Sequence, residues 1–410
     1  MVHMNQPTQR VDSPEIHITF IYSPHTMTPM HLPDYSGEGI VNLMSSIVRS
    51  EGKRTHYKSL KALPPKMLKD SKNIFLIVLD GLGYEYLKEF GTGTFFHENL
   101  KGRMTSVFPS TTASCITTFS TGEAPMQHAV VGWYTYVREL GAICTPLPHR
   151  LRAGNSAFSQ LVEPEMIVHA TSLESKMKRD CYVVSPHKVV DSSYTRYVSG
   201  NAQRKGFSTL EGMRRQLNKL ARMKKKKFIY SYWPDFDMIA HFNGMKSPLT
   251  YLHMHQLNSL MRQLEEDLEG TDSLVIVTAD HGLIDIDTMI DVRDHPILRN
   301  SLSQPLSGEL RAAYCYVHTH KRREFERYIK KELKDTCWLK PSCEAIEKGF
   351  FGLNKPHPNL SDRIGDYILL MKGNYGITDP IITEEAASLA ASHGGVSAEE
   401  MYVPLIYRSF

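Results

Sequence analysis

The chain has 410 residues, of which 41% are hydrophobic and 22% charged, and its formal net charge is +4 at pH 7. These values are typical of a globular protein, and the small charge excludes a strongly basic protein built to bind nucleic acid. Because no run of about 18 apolar residues occurs, we expect no segment to span a membrane. The length allows more than one structural unit.

The N-terminal segment and the cysteines indicate the cellular compartment of the protein. Residues 1–15 are polar, lack the apolar stretch of a secretory signal and are expected to be disordered, with a short strand following at 16–22. The six cysteines form no CxxC pair, which indicates free thiols in a reducing compartment and no cysteine metal site. The default prediction is a cytoplasmic enzyme, and export without a cleavable signal stays open.

The pattern of apolar residues predicts an α/β core. Nearly continuous apolar runs suit strands that are buried on both faces, as in a parallel sheet covered by helices. Four such runs occur, at 74–79, 182–184, 228–232 and 274–277. Helical spacing of apolar residues predicts helices at 39–50, 208–223 and 248–268. We therefore predict a doubly wound, mostly parallel central sheet flanked by helices.

Two regions differ from this alternation. Residues 301–372 predict a small α+β cap, with strands at 311–317, 343–348 and 366–371 and a charged helix at 320–333. A second insertion is expected at about 134–200. The catalytic core would then comprise residues 16–300, including that insertion, and residues 373–410.

Carboxylates and imidazoles follow the predicted strands. In an open parallel sheet, ligands bind beyond the carboxyl ends of the strands. Three of the predicted strands are followed there by acidic residues, two of them with a histidine nearby, and a further histidine lies in a glycine-rich loop: Asp80, Asp237 with His241, Asp280 with His281, and His393. Each feature alone also suits a turn, a cap or a loop. Together they suit two divalent ions such as Zn²⁺ or Mn²⁺, with coordination positions left open for a substrate.

A nucleophile is available at the start of a predicted helix that runs to about Thr121. Ser110, Thr111 and Thr112 place hydroxyl groups beside free backbone N–H groups and the positive end of the helix dipole, where a phosphoryl group can bind. Simple N-capping is the alternative, and it needs only one hydroxyl. The residues themselves leave the choice among the three open.

These motifs, in this order from Asp80 to His393, resemble the nucleotide pyrophosphatase/phosphodiesterase branch of the alkaline phosphatase superfamily. The resemblance implies two zinc ions in an alkaline phosphatase-like core. One ion would be bound by Asp237, His241 and His393. The other would be bound by Asp80, Asp280, His281 and the nucleophile. The family's catalytic threonine precedes the glycine of a Thr-Gly pair by ten residues, and the pair Thr121-Gly122 then points to Thr112 (122 − 10 = 112).

Two positions depart from the family pattern. Where the family has an aromatic residue that helps to stack a nucleobase, directly after the nucleophile, this chain has Ala113. Where the family has an asparagine that binds phosphate, this chain has Trp133 (112 + 21 = 133). The resemblance therefore supports the reaction better than it supports a nucleotide as the substrate.

The resulting expectation is a metal-dependent hydrolase that cleaves phosphodiester or pyrophosphate bonds through a phosphothreonine. Its partner would be a small-molecule phosphoester, with a nucleotide among the candidates, and neither nucleic acid nor a membrane. A phosphomonoesterase or phosphonate hydrolase on the same scaffold is the alternative, and a non-catalytic binding protein is a remote one. The oligomeric state stays open.

Overall fold

The computed structural model describes residues 29–158, 162–382, 384 and 389–410. The disorder expected at 1–15 and the strand expected at 16–22 lie outside these residues. A seven-stranded sheet forms the centre of the molecule. From one edge to the other its strands are Leu100–Thr105, Tyr402–Ser409, Ser273–Thr278, Asn73–Leu79, Lys227–Trp233, Asp180–Pro186 and Gln203–Phe207.

The four predicted strands occupy adjacent positions in this sheet and are parallel. Asn73–Leu79 is buried along its whole length because a strand lies on each side of it and helices cover the sheet. Leu79 pairs with Trp233, and Val78 pairs with Thr278, so the strands end at the same level. The residues that follow them therefore meet at one edge.

Three outer strands were not predicted. Leu100–Thr105 and Tyr402–Ser409 pair antiparallel, and Gln203–Phe207 pairs parallel to Asp180–Pro186. Leu100–Thr105 alternates intermediate and exposed positions over its first four residues, and Gln203–Phe207 is only partly buried. These two strands lack a continuous apolar run, so their sequences carry a weak signal. Tyr402–Ser409 does contain an apolar run and was overlooked.

The predicted helices are confirmed at Ile40–Ser50, Leu210–Ala221 and Pro248–Leu268, and a helix at Thr112–Thr121 follows the three hydroxyl residues. We call Thr112–Thr121 the nucleophile helix, after the nucleophile that the sequence predicts at its start. Shorter α-helices are Lys66–Lys69, Tyr84–Phe90, Phe95–Glu98, Pro125–His128, His187–Val190, Ser193–Ser199, Asp235–Asn243, Pro296–Ser301, Leu360–Ile364 and Ala398–Met401. No helix in the described part of the chain is long and apolar enough to cross a bilayer.

The cap contains a four-stranded antiparallel sheet. Its strands, in order, are Ser307–Gly308, Ala312–Cys315, Tyr367–Met371 and Cys337–Pro341. The charged helix Arg322–Glu332 packs on it through Phe325 and Ile329. The strand predicted at 343–348 is wrong, since Ser342–Glu347 is a helix and the strand precedes it. Pro341 ends the strand, and the next residues include the good helix formers Glu344 and Ala345.

The insertion expected at about 134–200 is shorter than predicted. It begins as a three-stranded antiparallel sheet formed by Thr135–Val137, Ala142–Thr145 and Arg150–Leu151. Asp180–Pro186, however, is a strand of the central sheet, and Ser193–Ser199 contacts the nucleophile helix. The additional segment therefore ends before Asp180. Tyr134 pairs with Gly308, which joins the insertion to the cap.

Candidate metal centre and active site

The carboxyl edge of the sheet brings the predicted ligands together. Asp80 follows its strand and remains in the sheet register, since its N–H donates to the Trp233 carbonyl at 2.9 Å. The next residue, Gly81, has φ +76°, and a Cβ there would lie 2.5 Å from Leu283 Cδ1 and 3.1 Å from Asp237 Cα. Only glycine fits this turn, and its small size lets Asp237 approach Asp80.

Asp80, Asp280 and His281 form one buried cluster, in which one ligand atom from each residue lies within 4.8 Å of the others. His281 Nε2 is 3.4 Å from Asp80 Oδ1 and 3.5 Å from Asp280 Oδ2. Asp280 is fixed through its other oxygen, which accepts from the N–H groups of Gly81 at 3.2 Å and His281 at 3.0 Å. Asp280 Oδ2 is thus left to face the cluster.

Asp237, His281 and His393 form a second group of the same size, so His281 belongs to both. The His281 and His393 rings stack with their centroids 3.9 Å apart. His241 lies one helical turn after Asp237, and its Nε2 is 3.2 Å from Asp237 Oδ2. The Ala391 carbonyl, 2.8 Å from His241 Nδ1, orients that ring toward the centre. The structure therefore gathers all six residues that the sequence singled out as ligands.

The donor set fits divalent cations. Asp80 Oδ1, Asp237 Oδ1, Asp280 Oδ2 and His393 Nδ1 are buried without a hydrogen-bond partner among the described residues. Burial, reinforced by the charges of Asp280 and Asp237, holds the pKa of Asp80 well above its ordinary value. Buried carboxylates this close together are costly unless a cation compensates them. Oxygen and imidazole nitrogen donors without cysteine suit Zn²⁺ or Mn²⁺.

The repulsion within this cluster leads to a test on stability. We expect Asp80→Asn to stabilise the metal-free protein by about 1–2 kcal/mol, because it removes one of the adjacent buried carboxylates. The amide oxygen can still accept the hydrogen bond that the Tyr232 hydroxyl donates to Asp80. Added zinc should reverse the order, since only the wild type would gain the full stabilisation from bound ions. Urea denaturation with and without EDTA measures both effects.

The pH dependence provides the control for that test. The pKa of Asp80 is raised in the folded state, so its carboxyl takes up a proton there more readily than in the unfolded chain. The advantage of the Asp80→Asn protein should therefore be absent below the ordinary pKa of 3.8, where the carboxyl is protonated in both states, and should grow as the pH rises above that value. An advantage that is independent of pH would contradict charge repulsion as its cause.

Thr112 is the hydroxyl that faces the acidic cluster. It is the first residue of the nucleophile helix, and its Oγ1 lies 3.1 Å from His281 Nε2. The two neighbouring hydroxyls are engaged elsewhere: Ser110 donates to the Gly395 carbonyl at 2.9 Å, and Thr111 donates to Glu309 Oε1 at 2.6 Å. The geometry therefore distinguishes Thr112 from the alternatives that the residues alone left open.

Two cavities meet at Thr112. One has a volume of about 410 Å³ and extends toward the cap, and the other has a volume of about 910 Å³ and extends along the nucleophile helix. Thr112, Trp133 and Met238 line both. The larger cavity is lined mainly by apolar and aromatic side chains, among them Phe119 and Trp233. A group bound to Thr112 thus has space on two sides.

The two predicted substrate positions differ in their surroundings. Trp133 is partly exposed and lines both cavities, as a residue that contacts a substrate would. Ala113 is completely buried in the hydrophobic core and is not among the described residues that line the two cavities. The side chain at position 113 therefore lies in the core and away from both cavities.

Two residues of the site were missed from the sequence. Tyr232, within a central strand, donates a hydrogen bond to Asp80 Oδ2. Glu309 of the cap accepts hydrogen bonds from the Thr111 hydroxyl and the Trp133 N–H, and burial raises its pKa to about 7. Tyr232 could have been found because it lies two residues before the Pro234 turn, on a strand that leads to the site. Glu309 has no such signal, since it reaches the site only through the fold of the cap.

The chain has a fold of the alkaline phosphatase type, in which a mostly parallel α/β sheet carries an Asp/His cluster and a hydroxyl at a helix start. Solved structures share this fold. Murine ectonucleotide pyrophosphatase/phosphodiesterase 5 superposes with a TM-score of 0.60 at 17% identity, covering 81% of this chain and 87% of that one. Phosphonoacetate hydrolase from Sinorhizobium meliloti 1021, in complex with phosphonoacetate, gives 0.57 at 17% identity over 81% and 89%.

A mutant of the alkaline phosphatase PafA gives a TM-score of 0.55 at 14% identity, covering 82% of this chain and 90% of that one. The family described as type I phosphodiesterase/nucleotide pyrophosphatase matches residues 74–395. The chain belongs to this family and is a phosphoester hydrolase. The remote alternative of a non-catalytic binding protein is thereby dropped. A comparison with curated proteins gave no significant sequence match.

Proposed function

We propose that the protein cleaves phosphodiester or pyrophosphate bonds with Thr112 as the nucleophile, in a site that binds two divalent ions, preferably zinc. The observation that supports this most directly is the position of Thr112 Oγ1, 3.1 Å from His281 Nε2 and at the junction of two cavities. The hydroxyl is thus placed between the acidic cluster and the space where a substrate would lie.

The first proposed ligand set is the first cluster, and the second takes Asp237 and His393 from the second cluster and adds His241. Asp80, Asp280 and His281 would bind one ion beside Thr112. The other ion would be bound by a second set of three residues: Asp237, His241 and His393. Bound ions supply Lewis-acid stabilisation of the oxygens that attack and leave phosphorus. His281 is close to both groups, so its ring would fix the spacing of the ions.

The chain's own groups carry the rest of the reaction. Thr112 Oγ forms a bond to phosphorus while the bond from phosphorus to the leaving oxygen breaks, and the leaving alcohol takes up the proton that the threonine loses. The product is a phosphothreonine that still carries the second ester group. Water then attacks this phosphorus and restores the Thr112 hydroxyl. The free N–H groups at the start of the nucleophile helix can stabilise the negative oxygens in both steps.

The two cavities favour a diester over a monoester. A phosphodiester has two organic groups on phosphorus, and both need space when the phosphorus lies next to Thr112. One group can occupy the cavity of about 410 Å³ and the other the cavity of about 910 Å³. Phosphonate hydrolysis is the second candidate, since one structural neighbour is a phosphonoacetate hydrolase. A nucleotide is a candidate substrate because an inactive variant of the murine neighbour was solved with AMP.

We expect the zinc-loaded protein to hydrolyse bis-p-nitrophenyl phosphate faster than p-nitrophenyl phosphate, as measured by release of p-nitrophenol.

His393→Ala should lower the metal content by about one ion per chain in elemental analysis, since it removes one of three proposed ligands. The matched control is His97→Ala, which changes an exposed histidine outside the clusters. Full metal occupancy after His393→Ala would remove His393 from the ligand set, and preference for the monoester would favour the phosphomonoesterase.

We keep the cytoplasm as the proposed compartment. All six cysteines are free thiols, including the exposed Cys343, as expected in a reducing environment. The proposed partner is a small phosphoester, and neither nucleic acid nor a membrane is part of the proposal.

A further inference from the structure

Glu309 lies in the active site but has no part in the proposed reaction. It is a cap residue that lines the cavity of about 410 Å³ together with Thr112, Asp237 and His241. A carboxylate is unexpected where a negatively charged phosphoryl group is to bind. Its position therefore bears on which phosphoesters the site accepts.

The structure holds this carboxyl group firmly in place. Its Oε1 accepts hydrogen bonds from the Thr111 hydroxyl and the Trp133 N–H. Thr111 directly precedes the proposed nucleophile, and Trp133 occupies the position at which the family has an asparagine. The backbone is fixed as well, because the Glu309 N–H donates to the Ala312 carbonyl at 2.9 Å in a tight hairpin. Glu309 thus cannot easily turn away when a substrate enters.

Among the described residues that line this cavity, no lysine or arginine pairs with Glu309. The only Lys or Arg among the described residues that line it is Arg152. Arg152 is already paired with Glu384 at 2.7 Å and also donates to the carbonyls of Leu306 and Asp379. Apart from bound metal ions, the cavity therefore offers little to compensate a second negative charge on a substrate.

We propose that Glu309 is a specificity-determining residue that selects singly charged phosphodiesters and disfavours doubly charged phosphomonoesters. This inference rests on the proposed function and specifies its substrate class. A diester carries one negative charge on its phosphoryl oxygens, whereas a monoester above neutral pH carries two. The Glu309 carboxylate repels the extra charge of the monoester. The preference for diesters then comes from weaker binding of the monoester and not from stronger binding of the diester.

The test compares the metal-loaded wild type with Glu309→Gln. Glutamine has nearly the same shape, and its amide oxygen can still accept from Thr111 and Trp133. The rates are measured well above pH 7, because the pKa of Glu309 is about 7. We expect kcat/KM for p-nitrophenyl phosphate, relative to bis-p-nitrophenyl phosphate, to rise about tenfold or more, as for removal of one like-charge contact. The affinity for inorganic phosphate, measured by calorimetry, should rise by a similar factor.

Glu309→Asp keeps the charge and is the control: it should retain the diester preference. An unchanged substrate ratio and phosphate affinity in Glu309→Gln would overturn the inference while leaving the proposed function intact. An equal loss of both rates would also overturn it and would show that Glu309 only positions Thr111 and Trp133. If the wild type cleaves neither ester, the proposed function fails, and the phosphate affinity still decides whether Glu309 repels a dianion.

Discussion

Thr112→Ala should lower the turnover of bis-p-nitrophenyl phosphate by about four orders of magnitude or more, as expected when a covalent nucleophile is removed. The variant should fold normally and keep its metal content, because the six carboxylate and imidazole ligands are untouched. Thr112 is almost buried, and the loss of its hydroxyl and one methyl group creates only a small cavity. The measurements are the steady-state rate and elemental analysis on the same sample.

Ser114→Ala is the matched control on the same helix. Its hydroxyl is buried as well, but it donates to the Val130 carbonyl at 2.9 Å and does not face the acidic cluster. Activity should stay within severalfold of the wild type. If Thr112→Ala keeps its activity, the nucleophile is Thr111 or Ser110, or the reaction has no covalent intermediate. Mass spectrometry of the wild type, quenched during turnover, should locate the added phosphoryl group on Thr112.

Arg311→Met should destabilise the protein by about 3–5 kcal/mol, the cost of leaving a buried charge without its partner. Arg311 of the cap and Glu400 of the core are both fully buried, with Arg311 Nη2 2.9 Å from Glu400 Oε2. Burial raises the pKa of Glu400, but Arg311, together with the hydrogen bonds from Gly395 and Ser397, holds it below its ordinary value of 4.5. The pair therefore stabilises the fold above that pH, and the contribution is lost as the pH falls further.

The same substitution should also weaken metal binding. Glu400 Oε1 accepts from the Gly395 N–H at 2.8 Å, and Gly395 lies two residues after His393. The loop that carries His393 is thus fixed by the pair that joins the cap to the core. Urea denaturation and a zinc titration measure the two effects. The control is Lys61→Met, which breaks an exposed pair with Glu38 and should cost less than about 1 kcal/mol. A comparable loss of stability in Arg311→Met and Lys61→Met would contradict the claim that burial makes the Arg311–Glu400 pair costly to break.

The central strands and the positions of the candidate ligands could be predicted because their signals are local. A strand buried on both faces needs a continuous apolar run, as at 74–79, and the residue that follows it must lie at the sheet edge. Asp80 and Asp280 were found in this way. The outer strand Leu100–Thr105 was not predicted because a half-exposed edge strand needs no continuous apolar run. Its partner, Tyr402–Ser409, lies far away in sequence.

Other features depend on contacts between distant segments. That His281 belongs to both clusters follows from the stacking of its ring on His393, which comes from another loop. The geometry singles out Thr112 because its two neighbours donate their hydroxyl hydrogen bonds elsewhere. Ser110 donates to Gly395, and Thr111 donates to Glu309, and both acceptors lie in distant segments. None of these contacts produces a periodic pattern of residues in the sequence.

Residue types and their spacing along the chain were therefore sufficient to predict the parallel core, the six candidate ligands and a hydroxyl at a helix start. The chain pattern could not reveal the carboxylate of Glu309 or the buried pair of Arg311 with Glu400, and only the folded protein places them. The physical reason is that a strand or a turn is selected by neighbouring residues, whereas a cap side chain reaches the site through the packing of whole domains.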